Sequence, residues 1–232
     1  MSIRHKTIVS PVNLQSHTVH SYLESEGERL ISSYSRIGSL LLLTSSELEL
    51  NAKITAWQSE LLNLLTSEAV KLSIQKKKYT EELPNYKELE VLTPDTFVFD
   101  VSISHPCLWA LIDAIKKIDS EANEIENLWL AGFIDDEARY ICRNRIVNIL
   151  RSFNSRIERA TSPGKNRNGG RFTSVQLIQM LRGGLELYVD DNAITQEIAR
   201  YKQQAQDEVN TSDGSQSEPV LAQHLITDKQ SA

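Results

Sequence analysis

Cysteine, histidine and long apolar runs are all scarce in this 232-residue chain, and each shortage excludes something. The two cysteines, Cys107 and Cys142, lie far apart and match no CxxC or zinc spacing, so they read as free thiols rather than a disulfide framework. The five histidines are scattered. His17 and His20 would share a helix face but lack the third and fourth ligands of a zinc site, so a surface or capping role is expected, with no metal and no cofactor. The leucine run Leu40–Leu43 is far short of the roughly 18 apolar residues of a membrane span. The N-terminus has no apolar h-region. These features lead us to expect a cytoplasmic protein without membrane contact. Catalytic signatures are missing as well: there is no G-x-S-x-G, H-E-x-x-H or cysteine–histidine pattern. The PGKNRNGG segment at 163–170 lacks the order of a phosphate loop and a preceding apolar strand, so no enzyme is expected.

Negative charge is plentiful, and positive charge is gathered in one place. Between Arg139 and Arg182 stand Arg139, Arg143, Arg145, Arg151, Arg156, Arg159, Lys165, Arg167, Arg171 and Arg182, with Glu158 as the one acid. That stretch carries +9, so the rest of a chain whose total is −6 carries −15. A charge contrast of this kind points to a polyanion at the basic segment. A single arginine-rich helix is ordinarily a solvated face. Here the run continues beyond the helix into a glycine-rich loop.

Along the chain, 4–14 is short and β-leaning, and Pro11 restricts it to an edge strand. A helix is expected over 22–43, broken near Gly38. Another opens near Ser45–Glu47, and its stripe Leu50, Ile54, Trp57, Leu61, Leu64, Leu65 and Leu72 needs another long helix to pack on, in this subunit or a partner. Lys76–Lys77–Lys78 near its end reads as a solvated run. Phe97–Ser104 alternates strictly, with Phe97, Phe99, Val101 and Ile103 on one face and Asp100, Ser102 and Ser104 on the other. An apolar helix in two parts follows, parted at Lys116–Glu121. A third helix opens at Asp135–Glu137 and buries Cys142, Ile146, Ile149, Leu150, Phe153 and Ile157. The polar segment from Asp207 reads as a disordered tail.

The stretch Phe97–Phe153, with its run HPCLWALIDAIKKIDSEANEIENLWLAGFIDDEARYICRNRIVNILRSF, resembles the AcaB family, transcriptional regulators encoded on conjugative plasmids and integrating conjugative elements. The strand, the apolar helix, the LAGFIDDEA turn and the basic helix ending in RSF carry the resemblance, over about a quarter of the chain. It implies sequence-specific binding of double-stranded DNA through a ribbon-helix-helix type of element formed by a homodimer. The regulatory role is expected to be activation of conjugative transfer genes, with repression left open by the sequence.

A strand followed by two helices occurs twice in the expected elements. We favour the later instance: Arg171 and Thr173 would point at bases with Phe172 turned inward, followed by helices from Val175 and from Ala193 to Gln206. Gly183–Gly184 inside its first helix counts against it. The earlier instance, Phe97–Ile103, turns Asp100 outward, which phosphates would repel. The expected DNA-binding set is Arg151, Arg156, Arg159, Lys165, Arg167, Arg171 and Thr173. The expected fold is mainly α with a short β-ribbon, a helical domain carrying a ribbon-helix-helix-like element. It divides into an N-terminal helical part at 1–95, a strand-plus-helices core at 96–206 and the tail at 207–232. The alternative is a helical interaction component of a conjugation or partition complex, with the Leu50–Leu72 stripe as its partner surface.

Overall fold

Residues 6–81, 91–162 and 172–213 are described by a computed structural model. Its elements are β1 (Ile8–Asn13), α1 (His17–Leu43), α2 (Leu48–Thr80), β2 (Val98–Ile103), α3 (Cys107–Leu130), α4 (Asp136–Ala160), α5 (Ser174–Arg182) and α6 (Asp191–Asp213). The fold is mainly helical with one two-stranded antiparallel sheet, as the sequence patterns lead one to expect.

The first six elements are a strand–helix–helix unit written twice. In each unit three residues, 14–16 or 104–106, separate the strand from its first helix. β1 and β2 pair from Ile8↔Ile103 to Asn13↔Val98. The helices then pack across the halves, α1 on α4 and α2 on α3, with α1 and α3 also in contact. Asp119 and Glu126 of α3 reach the start of α1, whereas His105 and Cys107 crowd Gly38 near its end, so α1 and α3 run antiparallel. This is the pattern of two halves related by an approximate two-fold axis through the ribbon, with one shared core.

The alternation at 97–103 survives in three dimensions: Val101 and Ile103 are buried, Asp100 and Ser102 exposed. Both strands of a two-stranded sheet are edges, where Pro11 is tolerated. α1 begins at Ser16, whose hydroxyl accepts from Val19 N at 3.2 Å, and it is not broken at Gly38. A Cβ at Gly38 would lie 2.6 Å from His105 Cβ, and one at Gly27 would lie 2.6 Å from the Phe99 ring. Both glycines therefore mark close approach of the β2 region to α1, not a bend.

α3 also runs unbroken, through the charged seam at 116–121. Asp119 is buried within that seam because its carboxylate accepts from the backbone N–H groups of Gln15 (2.8 Å) and Ser16 (3.0 Å). Glu126 beside it accepts from Ser16 Oγ, His17 N and Thr18 N, each at 2.9 Å. The first turn of α1 has no acid of its own, so the opposite half supplies the negative charge its N-terminus favours. His20 is buried and stacks on Phe97 with ring centroids 4.7 Å apart.

The stripe on α2 is consumed internally. Ile54, Trp57, Leu61, Leu65 and Leu72 are all buried, so the partner surface required by the interaction-protein alternative is part of this chain's own core. Lys76 is not solvated like Lys77 and Lys78 but bridges Glu121 at 2.8 Å and Glu124 on α3.

The expectation of a ribbon strand at Arg171–Thr173 is corrected. Phe172 and Thr173 are not in a strand. The Thr173 hydroxyl accepts from Gln176 N at 3.2 Å while Gln176 Oε1 accepts from Thr173 N at 2.9 Å, a reciprocal capping box that starts α5. Nor do Gly183 and Gly184 lie inside the helix: α5 ends at Arg182, and Gly184 takes φ 92°, which glycine adopts without strain. α6 continues to Asp213, past the expected start of the tail at Asp207. The rest of that segment, 214–232, lies outside the described residues.

Candidate nucleic-acid interface

α4 places most of the basic segment. Asp135 caps it, accepting from Ala138 N at 2.8 Å, and Asp136 and Glu137 occupy the first turn. Cys142, Ile146, Leu150, Phe153 and Ile157 bury one face. Helical spacing then turns Tyr140, Asn144, Asn148, Arg151 and Ser155 to the opposite side, and all five are exposed. From Ala138 to Ile157 the helix has no acid and carries Arg139, Arg143, Arg145, Arg151 and Arg156.

These arginines have different fates. Arg139 lies over the Trp129 ring at 3.5 Å from its centroid, and Arg145 donates to Gln75 Oε1 at 2.7 Å with Glu68 at 3.7 Å. Arg156 donates through Nε (3.1 Å) and Nη2 (3.0 Å) to Asp191 Oδ2. Arg159 donates to Asp191 Oδ1 at 2.7 Å and to Thr195 Oγ1 at 2.6 Å. The N-terminus of α6 thus offers one carboxylate to both. Arg143 and Arg151 are exposed and make no hydrogen bond or ion pair among the described residues. The acid of the segment, Glu158, is held by Arg29 of α1, whose Nε donates to Oε1 at 2.9 Å. That bond is the main reason the Arg29 guanidinium is held above its ordinary pKa. Glu158 consequently does little to offset the α4 arginines.

Of the expected DNA-binding set, Arg151, Arg156 and Arg159 stand on α4 as read. Arg151 faces solvent, while Arg156 and Arg159 are engaged by Asp191. Thr173 caps α5 and points at no ribbon partner. Lys165, Arg167 and Arg171 lie outside the described residues. Asn144, Asn148 and Ser155, which are outside the expected set, share the exposed side of the helix with Arg151.

The ribbon itself has a different character. Alternation turns Val9, Pro11 and Asn13 of β1 and Val98, Asp100 and Ser102 of β2 away from the helices, and all six are exposed. This face carries one carboxylate and no cation. A groove of about 510 Å³ runs beside α4, with Leu64, Leu65 and Glu68 of α2 on one wall and Tyr140, Ile141 and Asn148 on the other. No helix among the described residues is long and apolar enough to cross a membrane.

No family model matches the chain, and no curated protein matches it. Among solved structures it is similar to the crystal structure of AcaB from uropathogenic E. coli, with a TM-score of 0.56 and 16% identity over 85% of this chain and 97% of that one, a likeness of fold.

Proposed function

We propose that this protein is a sequence-specific DNA-binding transcriptional regulator, an activator of conjugative transfer genes, built on a ribbon-helix-helix type of architecture. The observation that carries the reading is the exposed side of α4 from Tyr140 to Ser155, which holds no acid, with Arg143 and Arg151 uncommitted among the described residues, in a chain that is otherwise strongly acidic. Exposed guanidinium groups neutralise phosphates and release counterions, while the acidic remainder repels DNA elsewhere. The AcaB-like sequence run and the AcaB-like fold support the regulatory role.

In this reading β1 and β2 of one chain, which pair antiparallel, would supply the paired strands that two subunits contribute in such repressors. Homodimer formation is then a proposal separate from ribbon formation. Light scattering on the purified protein decides it, since a monomer has a mass of 26.3 kDa and a dimer twice that.

The test of function is a gel shift at two salt concentrations. Duplexes from promoters of conjugative transfer genes are set against unrelated competitor DNA. Binding that resists competitor and weakens as salt rises supports a sequence-specific regulator. Absence of binding at low salt refutes it.

A further inference from the structure

Gln75 of α2 bonds Cys142 and Arg145 near the start of α4. Trp57 of α2 bonds Tyr188 O, three residues before the Asp191 that holds Arg156 near the end of α4. The two helices therefore run antiparallel, and the groove of about 510 Å³ lies between them. It leaves apolar surface in water that the core does not use: Ile141 is 53% exposed and Tyr140 63%, with Leu64 and Ile149 half-buried beside them. Its walls carry Arg145 and Arg156. The acid among its lining residues, Glu68, already bonds Lys71 at 2.5 Å. An amphipathic segment with acidic flanks is the chemistry that fits such a groove.

The sequence beyond the described residues contains one. From Gln203 to Asp228 the chain has five acids and no lysine or arginine, and it is polar except at Val220–Ile226 (VLAQHLI), which stands between Glu218 and Asp228. Leu221, Ala222, Leu225 and Ile226 have the i, i+1, i+4, i+5 spacing of a single helix face. Geometry decides which copy can supply it. α6 begins beside the Arg156 end of the groove and turns back along 184–190: Glu197 accepts from Glu186 N at 2.9 Å, and Arg200 donates to Gly184 O at 2.7 Å. That segment follows α2 toward its N-terminus, with Tyr188 at Trp57 and Glu186 at Lys53, so α6 leads away from the groove. Its 23 residues carry the chain about 33 Å. The seven steps from Asp213 to Val220 recover at most about 25 Å, too little to enter the groove of the same chain.

We propose that the α2–α4 groove receives the Val220–Ile226 segment of a second copy of this chain, with its aliphatic side on Leu64, Ile141 and Ile149 and its flanking carboxylates toward Arg145. The exchange is reciprocal, so two tails and two grooves close a two-fold dimer with nothing left over. This gives the homodimer proposed above its interface. It does not depend on the DNA-binding reading, because Arg143 and Arg151 do not line the groove.

The experiment is sedimentation of the full-length chain in three forms: wild type, the tail variant Leu221→Asp/Leu225→Asp, and the groove variant Ile141→Asp. Ile141 is exposed, and circular dichroism with thermal melting checks that each variant is folded. Wild type is expected at twice the 26.3 kDa chain mass. Each variant alone should dissociate, its dimer weakened at least about tenfold, the scale of one aliphatic side chain no longer buried. The decisive sample is an equimolar mixture in which one variant carries an N-terminal fluorescent label. The groove variant has an intact tail and the tail variant an intact groove, so the mixture should recover labelled dimers that neither forms alone. A mixture that stays monomeric overturns the proposal. So does a dimer as tight as wild type from either variant alone, since the homodimer then stands on another interface. A monomeric wild type overturns both the exchange and the homodimer, and leaves the gel-shift test of DNA binding untouched.

Discussion

Replacing Asp119 by alanine tests the contact that ties the second half of the fold to the start of the first. The wild-type carboxylate is 3% exposed and satisfies two backbone donors, Gln15 N at 2.8 Å and Ser16 N at 3.0 Å. Alanine leaves both without that acceptor; Ser16 is buried whereas Gln15 is exposed, so the Ser16 donor carries most of the penalty, and an orphaned buried donor costs roughly 1–3 kcal/mol. Relief of the burial of a charged group offsets part of this and the weaker loss at Gln15 adds to it, so the expected net loss is about 1–3 kcal/mol. For a chain of this size that corresponds to a fall in Tm of roughly 3–10 °C. Thermal melting gives the total, and amide exchange at Ser16 locates it. A change of Tm within about a degree would refute the reasoning, because it would mean these amides find other partners at no cost. The pH dependence supplies a second check. Burial is the largest influence on the Asp119 carboxyl and raises its pKa, with the N–H groups of Ser16 and Gln15 pulling the other way. A raised folded-state pKa contributes stability that is complete below the unfolded pKa, near about 3.9 for aspartate, and lost as pH rises through the folded value. The stability of wild type relative to Asp119→Asn, which does not titrate, should therefore be greater in acid than at neutral pH. The opposite slope would mean that the backbone donors outweigh burial.

Three further outcomes follow from the packing. Gly38→Ala gains helix propensity of about 1 kcal/mol but places a Cβ 2.6 Å from His105 Cβ, so overpacking should win and lower stability by about 1–2 kcal/mol in urea unfolding. Asp191→Asn removes the carboxylate shared by Arg156 and Arg159. Binding to a fixed duplex should then depend more steeply on salt, by about one phosphate contact per released arginine, and an unchanged slope would show that these arginines stay engaged. Burial pushes the Cys107 thiol up to about 11 and raises that of Cys142. Neither should react with a thiol reagent at neutral pH until urea unfolds the chain, and rapid labelling of the native protein would contradict their placement in the core.

Much of the local structure was legible in the residues themselves. The alternation at 97–103, the Asp135 cap and the apolar faces of α2 and α4 depend on contacts between near neighbours in sequence, and these recur in the fold. The absence of acids from α4 between Ala138 and Ile157 is likewise a property of sequence alone. Partner choice was not legible, because it depends on which surfaces meet. Phe172 and Thr173 have the composition of a short strand, but a strand needs a neighbour to pair with, and the capping box with Gln176 satisfies this backbone locally. β2 found its neighbour in β1, with 84 residues between the paired Asn13 and Val98, a pairing that no local pattern announces. Asp119 looked like a helix break until the unfilled N-terminus of α1 came to lie against it. Arg156 and Arg159 looked alike to Arg151 in sequence, and the arrival of Asp191 on α6 separated them. Short-range periodicity and charge are written along the chain, whereas pairing, burial of charge and the partner of each arginine arise from long-range packing.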